Sequence, residues 1–330
     1  MPDLQLTIRC GLAHALLRQR LSGPFAHIPT ASDFGLSMKN AIEVDVPDSV
    51  ARYQEFHADW DNKVREYARQ IRAIKPDLVL ANISYLALAA AQNAQIPALA
   101  MCSLNWMDIF FPYVPSSPAM SKIHAQMLDA YNSPTAFLRL TPGMPMPEIK
   151  HLRDIAPIAS RGTAQPEELR AALGLASTQR LILFAMGGIS MRLPGSWPVL
   201  PGCTWIVPGE AAWQREDMLP LDSIGMDFHD VLASCDCVFT KSAYGVFAEA
   251  TVCGTPVLYV ERPDWPEEPC LVAWLKQHNL AHGITRAQFE QGTFGHALSA
   301  LLQQPRATPL RASGSVEAAA FIQSQLEQSL

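Results

Sequence analysis

The residues best suited to bind an anion lie in a short loop between a predicted strand and a predicted helix. Cys237–Thr240 reads as a buried strand, residues 241–245 (KSAYG) form a loop, and a helix follows from about Val246 to Cys253. Free backbone N–H groups at the start of a helix attract phosphate, and Lys241 places a positive charge beside them. Glu249 lies one helical turn further on, within reach of a hydroxyl group such as that of a ribose. This spacing predicts a site for phosphate or another anion.

The segments around this loop form a βαβ unit. Gly254 can end the helix in a left-handed conformation, Pro256 prevents the helix from restarting, and Val257–Val260 is the next strand. We expect a right-handed crossover, which places the loop at the carboxyl ends of the strands, where ligands bind in parallel α/β sheets. Taken alone, such a loop is more often ordinary surface, with Lys241 solvated and Glu249 an exposed helix residue.

The pattern around the loop is long, and it resembles that of a known family. From Leu232 to Val260 the sequence reads L-x-x-x-D-x-V-x-x-K-S-x-x-G-x-x-x-E-A-x-x-x-G-T-P-x-L-Y-V. This run resembles the donor-binding half of GT-B glycosyltransferases, in particular the UDP-N-acetylglucosamine transferase family of peptidoglycan synthesis. It is also similar to the glycosyltransferase-like domain that precedes the kinase domain in plant L-arabinokinases. One departure is Ala243, which stands where these families usually carry glycine.

The resemblance implies an α/β protein with the GT-B fold, in which two Rossmann-like domains face each other across a cleft. We expect an acceptor-side N-terminal domain, a proline-rich linker, a donor domain and a final helix that packs back on the N-terminal domain. Their expected bounds are 1–140, 141–165, 166–312 and 313–330. Members of the family begin with a strand, a Gly/His-rich loop and a helix, whereas this sequence opens on the strand-like segment Gln5–Cys10. The first βα unit is therefore expected to be absent, through either a start placed too far downstream or a genuine loss.

The resemblance also assigns the donor-site residues. The 241–245 loop and a second glycine turn after the predicted strand Leu181–Ala185 are expected to hold the donor diphosphate, with Glu249 on the ribose. Arg262, after the last strand of the motif, can neutralise diphosphate charge by paired hydrogen bonds. Glu268 is expected to contact the donor sugar, whereas Glu267 is interpreted as an ordinary acid at a helix N-terminus. The diphosphate set is Gly187, Gly188, Lys241, Ser242, Ala243, Tyr244, Gly245 and Arg262, and the base-binding segment is Ile224, Gly225 and Met226.

The acceptor-side candidates follow two predicted strands of the N-terminal domain. Asn82 and Ser84 come after one strand, and Asn105, Trp106 and Asp108 come after the next. The second segment, N-W-x-D, resembles the Trp/Asp segment at the same place in the arabinokinase-type domain. Asp108 is the candidate catalytic base. In the alternative interpretation, Trp106 only packs and Asp108 caps the following helix.

The longest predicted helix of the N-terminal domain lies ahead of these segments. Asp48 is its expected N-cap, and apolar residues at three- and four-residue spacing continue to about Lys75. We expect this apolar stripe to pack in the core rather than to bind a ligand.

Composition and charge narrow the class of partner. The 330 residues carry a net charge of −6 with no local Lys/Arg cluster, so the sequence offers no electrostatic footprint for nucleic acid. No apolar run reaches the length of a membrane span, and no signal-peptide pattern opens the sequence. Seven cysteines in apolar segments indicate reduced, buried thiols and a cytoplasmic protein, and the pair Cys235 and Cys237 fits no standard zinc pattern.

Together these features predict a glycosyltransferase that moves a hexosyl group from a nucleotide-diphosphate sugar, first of all a UDP-sugar, to an unidentified acceptor that could be lipid-linked. No Asp-x-Asp sequence follows a predicted strand, which favours transfer without a metal, and no cofactor is expected besides the donor substrate. The absent βα unit and Ala243 favour an alternative, a nucleotide-sugar binding protein without transferase activity. A non-hydrolysing nucleotide-sugar epimerase is a third interpretation, although the acid/His set that it needs is not evident.

Overall fold

The computed structural model describes residues 4–188, 193–209 and 215–328, which form two α/β domains. The strands of the N-terminal domain are β1 (Leu6–Arg9), β2 (Phe25–Ile28), β3 (Met38–Asn40), β4 (Glu43–Val44), β5 (Val79–Ala81), β6 (Ala98–Cys102), β7 (Ala136–Leu140) and β8 (Leu152–Ile155). Its helices are α1 (His14–Arg20), α2 (Val46–Ala58), α3 (Trp60–Ile74), α4 (Tyr85–Ala94), α5 (Trp106–Phe110) and α6 (Pro118–Tyr131). A short 3₁₀ helix, Phe111–Tyr113, follows α5.

The C-terminal domain is built on one six-stranded parallel sheet of order β11-β10-β9-β12-β13-β14. Its strands are β9 (Arg180–Ala185), β10 (Cys203–Val207), β11 (Met218–Pro220), β12 (Cys237–Lys241), β13 (Val257–Val260) and β14 (Ala281–Ile284). Its helices are α7 (Pro166–Ala172), α8 (Phe228–Ser234), α9 (Tyr244–Cys253), α10 (Glu268–His278), α11 (Arg286–Gln291) and α12 (Gly295–Leu302). Apolar cores lie on both faces of the sheet, which is why its central strands are almost continuously apolar.

The predicted βαβ unit is confirmed as β12, α9 and β13. β12 and β13 pair in parallel from Val238 and Val257 onward. Gly254 ends α9 with a φ of +66°, a left-handed conformation that favours glycine. Cys235 and Cys237 are fully buried in the apolar layers beside this unit, and neither forms a disulfide.

The parallel strands of the N-terminal domain are divided between two sheets. β1 pairs with β2, and β5 pairs with β6 in a four-stranded sheet of order β5-β6-β7-β8. Leu6 of β1 and Leu80 of β5 are 38% and 43% exposed, although central strands of parallel sheets are normally buried on both faces. Both strands therefore behave as sheet edges among the described residues.

The prediction of one helix from Asp48 to Lys75 is wrong, because the structure contains two helices, α2 and α3. α2 begins three residues earlier than predicted, with Asp45 rather than Asp48 as its cap, and the Asp48 N–H donates to Asp45 Oδ1 at 3.1 Å. Asp59 separates the helices with a ψ of 39°, and its side chain accepts a hydrogen bond from Asn62 at 2.5 Å. Short polar side chains of this kind compete with helical backbone hydrogen bonds, which allows the break.

Helix α13 (Gly314–Gln328) lies against the N-terminal domain rather than the C-terminal one. Ala318 packs in a small core with Leu99, Leu138 and Ile155, and Glu317 accepts the N–H of Ala156 at 3.0 Å. The last two residues of the predicted C-terminal segment lie outside the described residues. Of the helices that the structure describes, none is both long enough and apolar enough to cross a membrane.

Candidate functional site

Polar groups collect at the carboxyl end of the C-terminal sheet. Four adjacent strands, β9, β12, β13 and β14, end there. Lys241 is the last residue of β12, and the other three strands are followed by Gly187 and Gly188, by Arg262 and by Arg286. Ligands of parallel α/β sheets bind outside this end of the strands. We call this row of residues the sheet edge.

The middle of the sheet edge combines a glycine turn with a helix N-terminus. Gly187 has a φ of +81°, and a Cβ added to it would lie 3.9 Å from the Lys241 side chain, so the two loops are neighbours. α9 begins at Tyr244, earlier than predicted, and Ala243 at its N-cap provides no side-chain hydrogen bond. The φ of Ala243 is −159°, an extended conformation that does not require glycine. Alanine at this position therefore leaves the loop backbone unstrained.

The hydroxyl groups of this loop already form hydrogen bonds within the protein. The Ser242 side chain is fully buried, and its hydroxyl donates to the carboxylate of Glu268. The Tyr244 hydroxyl accepts the N–H of Ile158 at 2.9 Å, in the segment between the two domains. Gly245 has open space around the position of a Cβ. Backbone N–H groups and Lys241, rather than hydroxyl groups, are thus what this loop can offer an anion.

Lys241 is held by a hairpin from the other domain. Its Nζ donates to the carbonyl of Ala41 at 2.7 Å, and Arg286 donates to the carbonyl of Ile42 at 2.8 Å. Ala41 and Ile42 form the tip of the β3–β4 hairpin and are buried in the core of the C-terminal domain. Burial, with the Arg262 guanidinium nearby, lowers the pKa of Lys241 to about 8.

Arg262 is buried beside Lys241, with 3% of its surface exposed. Its guanidinium carbon lies 4.1 Å from the centre of the Trp265 ring, and its Nη1 donates weakly to the Ser242 carbonyl at 3.5 Å. Among the described residues, the Nε of Arg262 has no hydrogen-bond partner. A buried guanidinium with an unused N–H group is costly unless an anion completes it.

Glu268 ties the loop after β13 to the loop after β12. Its Oε2 accepts the Arg262 backbone N–H at 2.5 Å as well as the Ser242 hydroxyl. Burial raises the pKa of this carboxyl, and these two hydrogen bonds oppose the shift. The structure therefore shows Glu268 positioning both loops, and its contact with a donor sugar stays a prediction.

Glu267 lies at the N-cap of α10, the helix N-terminus that the sequence indicated, but it is buried there. It is 3% exposed, and its Oε1 accepts the hydroxyl of Ser103 from the N-terminal domain at 2.7 Å. Its Oε2 accepts the Trp265 Nε1–H at 3.2 Å. Burial raises the pKa of Glu267, and both hydrogen bonds oppose that change. The residue joins the two domains across the cleft instead of facing solvent.

Glu249, the predicted ribose residue, lies beside the start of α8. Its carboxylate is 3.0 Å from Nε2 of His229, whose Nδ1 is 2.8 Å from Asp227. Arg20 of the N-terminal domain contacts the same imidazole at 3.1 Å. The predicted base-binding segment 224–226 directly precedes Asp227, so the structure brings the ribose and base candidates to one side of the sheet edge.

The acceptor-side candidates are explained mostly by local structure. Asn105 caps α5 by accepting the Asp108 N–H at 2.8 Å, and its amide donates to Asp108 Oδ2 at 2.8 Å. Burial raises the pKa of Asp108. Trp106 packs on Gly35, where a Cβ would approach the indole to 2.5 Å. These contacts match the packing and capping interpretation, and a catalytic role of Asp108 stays a prediction.

Asn82 and Ser84 lie at the carboxyl end of β5. The Ser84 hydroxyl caps α4 by accepting the Ala87 N–H at 3.2 Å, and it lies 2.7 Å from the Ser32 hydroxyl. Asn82 is exposed. Ser84 is therefore structural, and Asn82 remains available to a ligand.

The sequence analysis did not identify Arg286, which lies at the sheet edge, or Tyr113, whose hydroxyl lies close enough to feel the charges of Arg262 and Arg286. Arg286 pairs with Asp264 at 2.5 Å, and its Nε has no partner among the described residues. Tyr113 belongs to the N-terminal domain, and its buried hydroxyl likewise has no partner there; burial raises its pKa to about 12. The position of Arg286 could have been predicted from the sequence. Thr285 and Gln288 form a capping box directly after β14, and this motif marks Arg286 as the first residue of a helix at the end of a strand.

The two-domain structure is similar to several solved glycosyltransferase structures. The chain resembles the solved glycosyltransferase of kitacinnamycin, with a TM-score of 0.60 and 14% identity over 99% of this chain and 89% of that one. It resembles Arabidopsis thaliana UGT89C1 complexed with UDP, with a TM-score of 0.55 and 11% identity over 91% and 84% of the two chains. For VinC in complex with dTDP the TM-score is 0.53, with 15% identity over 92% and 84%. The chain therefore has the GT-B fold, the fold of these glycosyltransferases.

A comparison of sequences alone finds a relative that matches a smaller part of the chain. The chain is 25% identical over 269 residues to L-arabinokinase of Arabidopsis thaliana, which covers 79% of this chain and 25% of that protein. It thus spans about a quarter of the length of this curated relative. No protein-family model matches the chain.

Proposed function

We propose that this protein is a glycosyltransferase that binds a nucleotide-diphosphate sugar, with UDP-sugars first among the donors, along the sheet edge. One observation carries the proposal. The glycine turn at Gly187, the N-terminus of α9, Lys241 and Arg262 follow adjacent strands of one parallel sheet, with Glu249 beside the segment proposed for the base. The complexes of UGT89C1 with UDP and of VinC with dTDP support a nucleotide donor.

The charges of the sheet edge fit a departing diphosphate. Lys241 is a half-buried cation and Arg262 a buried one, and the N–H groups at the start of α9 point out of the same sheet end. Such fixed groups stabilise negative charge as it develops on a leaving group, without rearrangement at the moment of reaction. Transfer at this site needs no metal ion under our proposal. A cytoplasmic location and a possible lipid-linked acceptor belong to the same hypothesis.

One observation favours a second candidate, a nucleotide-sugar binding protein without transferase activity. Asp108, the base predicted from sequence, has its carboxylate hydrogen bonded to the amide of Asn105. If the protein has no other proton acceptor, the sheet edge would still bind the donor, but the sugar would not be transferred. The two candidates agree on the donor site and differ only in turnover.

Isothermal calorimetry with UDP, dTDP, UMP and UDP-glucose tests the donor site. Glu249→Gln removes the carboxylate, and Glu290→Gln, an exposed acid on α11, is the matched control. We expect Glu249→Gln to weaken UDP and UMP alike by about tenfold, the value of one charge-assisted hydrogen bond. Release of glucose from UDP-glucose separates a transferase from a binding protein. A wild-type protein that binds none of these nucleotides contradicts both candidates.

A further inference from the structure

We propose that Asp33 is the general base that takes the proton of the acceptor hydroxyl group. The proposal rests on the proposed glycosyltransferase function and names a residue that the motif comparison does not reach. Asp33 lies in the loop after β2, at the same end of the N-terminal domain as Asn82 and Asn105, which follow β5 and β6. Three carboxyl strand ends thus place these side chains at the acceptor side of the cleft.

The loop that carries Asp33 connects the two sides of the cleft. Ser32 lies 2.7 Å from Ser84, and Gly35 packs directly on Trp106. The chain then enters the β3–β4 hairpin, whose tip residue Ala41 accepts the hydrogen bond of Lys241. Asp33 is therefore fixed on a segment that contacts both the acceptor-side loops and the lysine of the proposed donor site.

The carboxylate of Asp33 sits at the N-terminus of α4. Its Oδ2 is 3.4 Å from the Leu86 N–H, a long hydrogen bond, and the Ser84 hydroxyl and Tyr85 N–H also contact the carboxylate. α4 already has its own cap, since Ser84 accepts the Ala87 N–H. The Ser84 cap uses one of the free N–H groups at this helix terminus, and Asp33 accepts two others, so the terminus fixes the position of the carboxylate.

Aromatic residues from four helices surround Asp33. The titratable groups facing it are Tyr53 of α2, Tyr67 of α3, Tyr85 of α4 and Tyr131 of α6. Burial raises the pKa of each tyrosine, and the Asp33 charge adds to the shift. Two guanidinium groups stack on aromatic rings of this region, with Arg52 4.3 Å from the Phe34 ring and Arg9 4.4 Å from the Tyr67 ring. Burial raises the pKa of Asp33 to about 7, and hydrogen bonds from Ser84 and α4 oppose the shift.

One polar group near Asp33 lacks a structural explanation. The hydroxyl of Tyr53 is fully buried and has no hydrogen-bond partner among the described residues. Its ring lies 5.0 Å from that of Phe34, the neighbour of Asp33. An unused hydroxyl beside a carboxylate is the combination needed to orient a substrate hydroxyl group and then accept its proton.

The reaction step is a single displacement. The acceptor O–H bond breaks and its proton moves to Asp33, while the acceptor oxygen forms a bond to the anomeric carbon of the donor sugar. The bond from that carbon to the diphosphate oxygen breaks, and its electron pair leaves with the nucleotide diphosphate. The proton on Asp33 later exchanges with solvent. The single displacement inverts the configuration of the anomeric carbon.

The test uses UDP-glucose with water as the acceptor, so no acceptor need be known. Asp33→Asn and Asp33→Glu are compared with Asp108→Asn, which replaces the competing carboxylate. We expect Asp33→Asn to lower kcat by about 10²- to 10⁴-fold at pH 8, the range of general base catalysis, and to leave the Kd for UDP within twofold. The wild type is expected to lose activity as the pH falls below about 7, because Asp33 is then protonated. Asp33→Asn is expected to lose this dependence.

Two further readouts decide the proposal independently of the rate. Proton NMR of the released glucose is expected to show the β anomer first, from the α-linked donor. Infrared titration of the Asp33 carboxyl, identified by its loss in Asp33→Asn, is expected to give a pKa near 7 even if hydrolysis is too slow to follow. α-Glucose as the first product, a carboxyl titrating near 4, or Asp33→Asn turnover within twofold of the wild type overturns the proposal. Failure of UDP to bind would instead reject the proposed function.

Discussion

The Nζ of Lys241 lies 2.7 Å from the carbonyl oxygen of Ala41, two hundred residues earlier in the chain. The N-terminal domain thus positions the lysine proposed for the donor diphosphate in the C-terminal domain. A lysine ammonium group has three protons, and the hairpin carbonyl uses one of them. Lys241 can therefore hold the hairpin and a phosphate oxygen at the same time.

Replacing Lys241 by methionine tests its role as a phosphate ligand. Lys241→Met shortens the unbranched side chain by only one atom and removes the charge, so we expect UDP binding to weaken by about ten- to a hundredfold. Uridine, which has no phosphate, is expected to bind unchanged. Lys39→Met is the matched control, because Lys39 is exposed on the same hairpin and forms an ion pair with its neighbour Glu43. Equal UDP affinity in Lys241→Met and the wild type contradicts the assignment.

The affinity for UDP is expected to depend on pH through Lys241. Burial and the nearby Arg262 lower the pKa of the lysine to about 8, so its positive charge is lost as the pH rises through that value. Calorimetry between pH 7 and pH 9.5 is expected to show UDP affinity falling by up to about tenfold per pH unit above 8. In Lys241→Arg the side chain stays charged, and the decline should disappear. A decline of the same size in both proteins would assign the effect to another group.

Glu267 is expected to contribute to the stability of the two-domain structure. Glu267→Ala leaves the buried donors of Ser103 and Trp265 without their acceptor. We expect the free energy of unfolding to fall by about 2–4 kcal/mol, since each unpaired buried donor costs about 1–3 kcal/mol. Urea denaturation measures this change, and Glu290→Ala, at an exposed position, should stay within about 0.5 kcal/mol of the wild type. A loss below about 1 kcal/mol would show that the cross-domain contact is unimportant.

Asp33 should destabilise the fold at neutral pH. Its pKa rises from 3.8 to about 7 on folding, so between these values the folded state binds more protons than the unfolded state. Stability contributed by the protonated carboxyl is therefore complete below pH 4 and is lost as the pH rises to about 7. The loss approaches about 4 kcal/mol at about 1.4 kcal/mol per pKa unit. Denaturation curves of Asp33→Asn at pH 5 and pH 8 should lack this component, and an unchanged pH dependence contradicts the shift.

Local sequence patterns were sufficient for the parts of the fold that depend on neighbouring residues. The βαβ unit around the 241–245 loop could be predicted because strand, loop, helix and the terminating Gly254 follow one another directly. The break at Asp59 could not, because the apolar spacing continues across α2 and α3, and only the side-chain hydrogen bond to Asn62 marks the separation.

In the candidate site, too, local sequence patterns do not reveal the contacts that depend on tertiary structure. Glu267 and Glu268 are adjacent in sequence, yet one faces Ser103 of the other domain and the other faces Ser242. The burial of Asp33 comes from aromatic residues on four separate helices, which no local pattern near residue 33 records. Tertiary packing, not spacing, determines these environments.

The most direct test of the central claim is a crystal structure of the protein with bound UDP. We predict that the diphosphate lies over Gly187 and the N-terminus of α9, with Lys241 within hydrogen-bonding distance and the ribose beside Glu249. A diphosphate bound away from the sheet edge, with Lys241 and Glu249 making no contact to the nucleotide, would contradict the account.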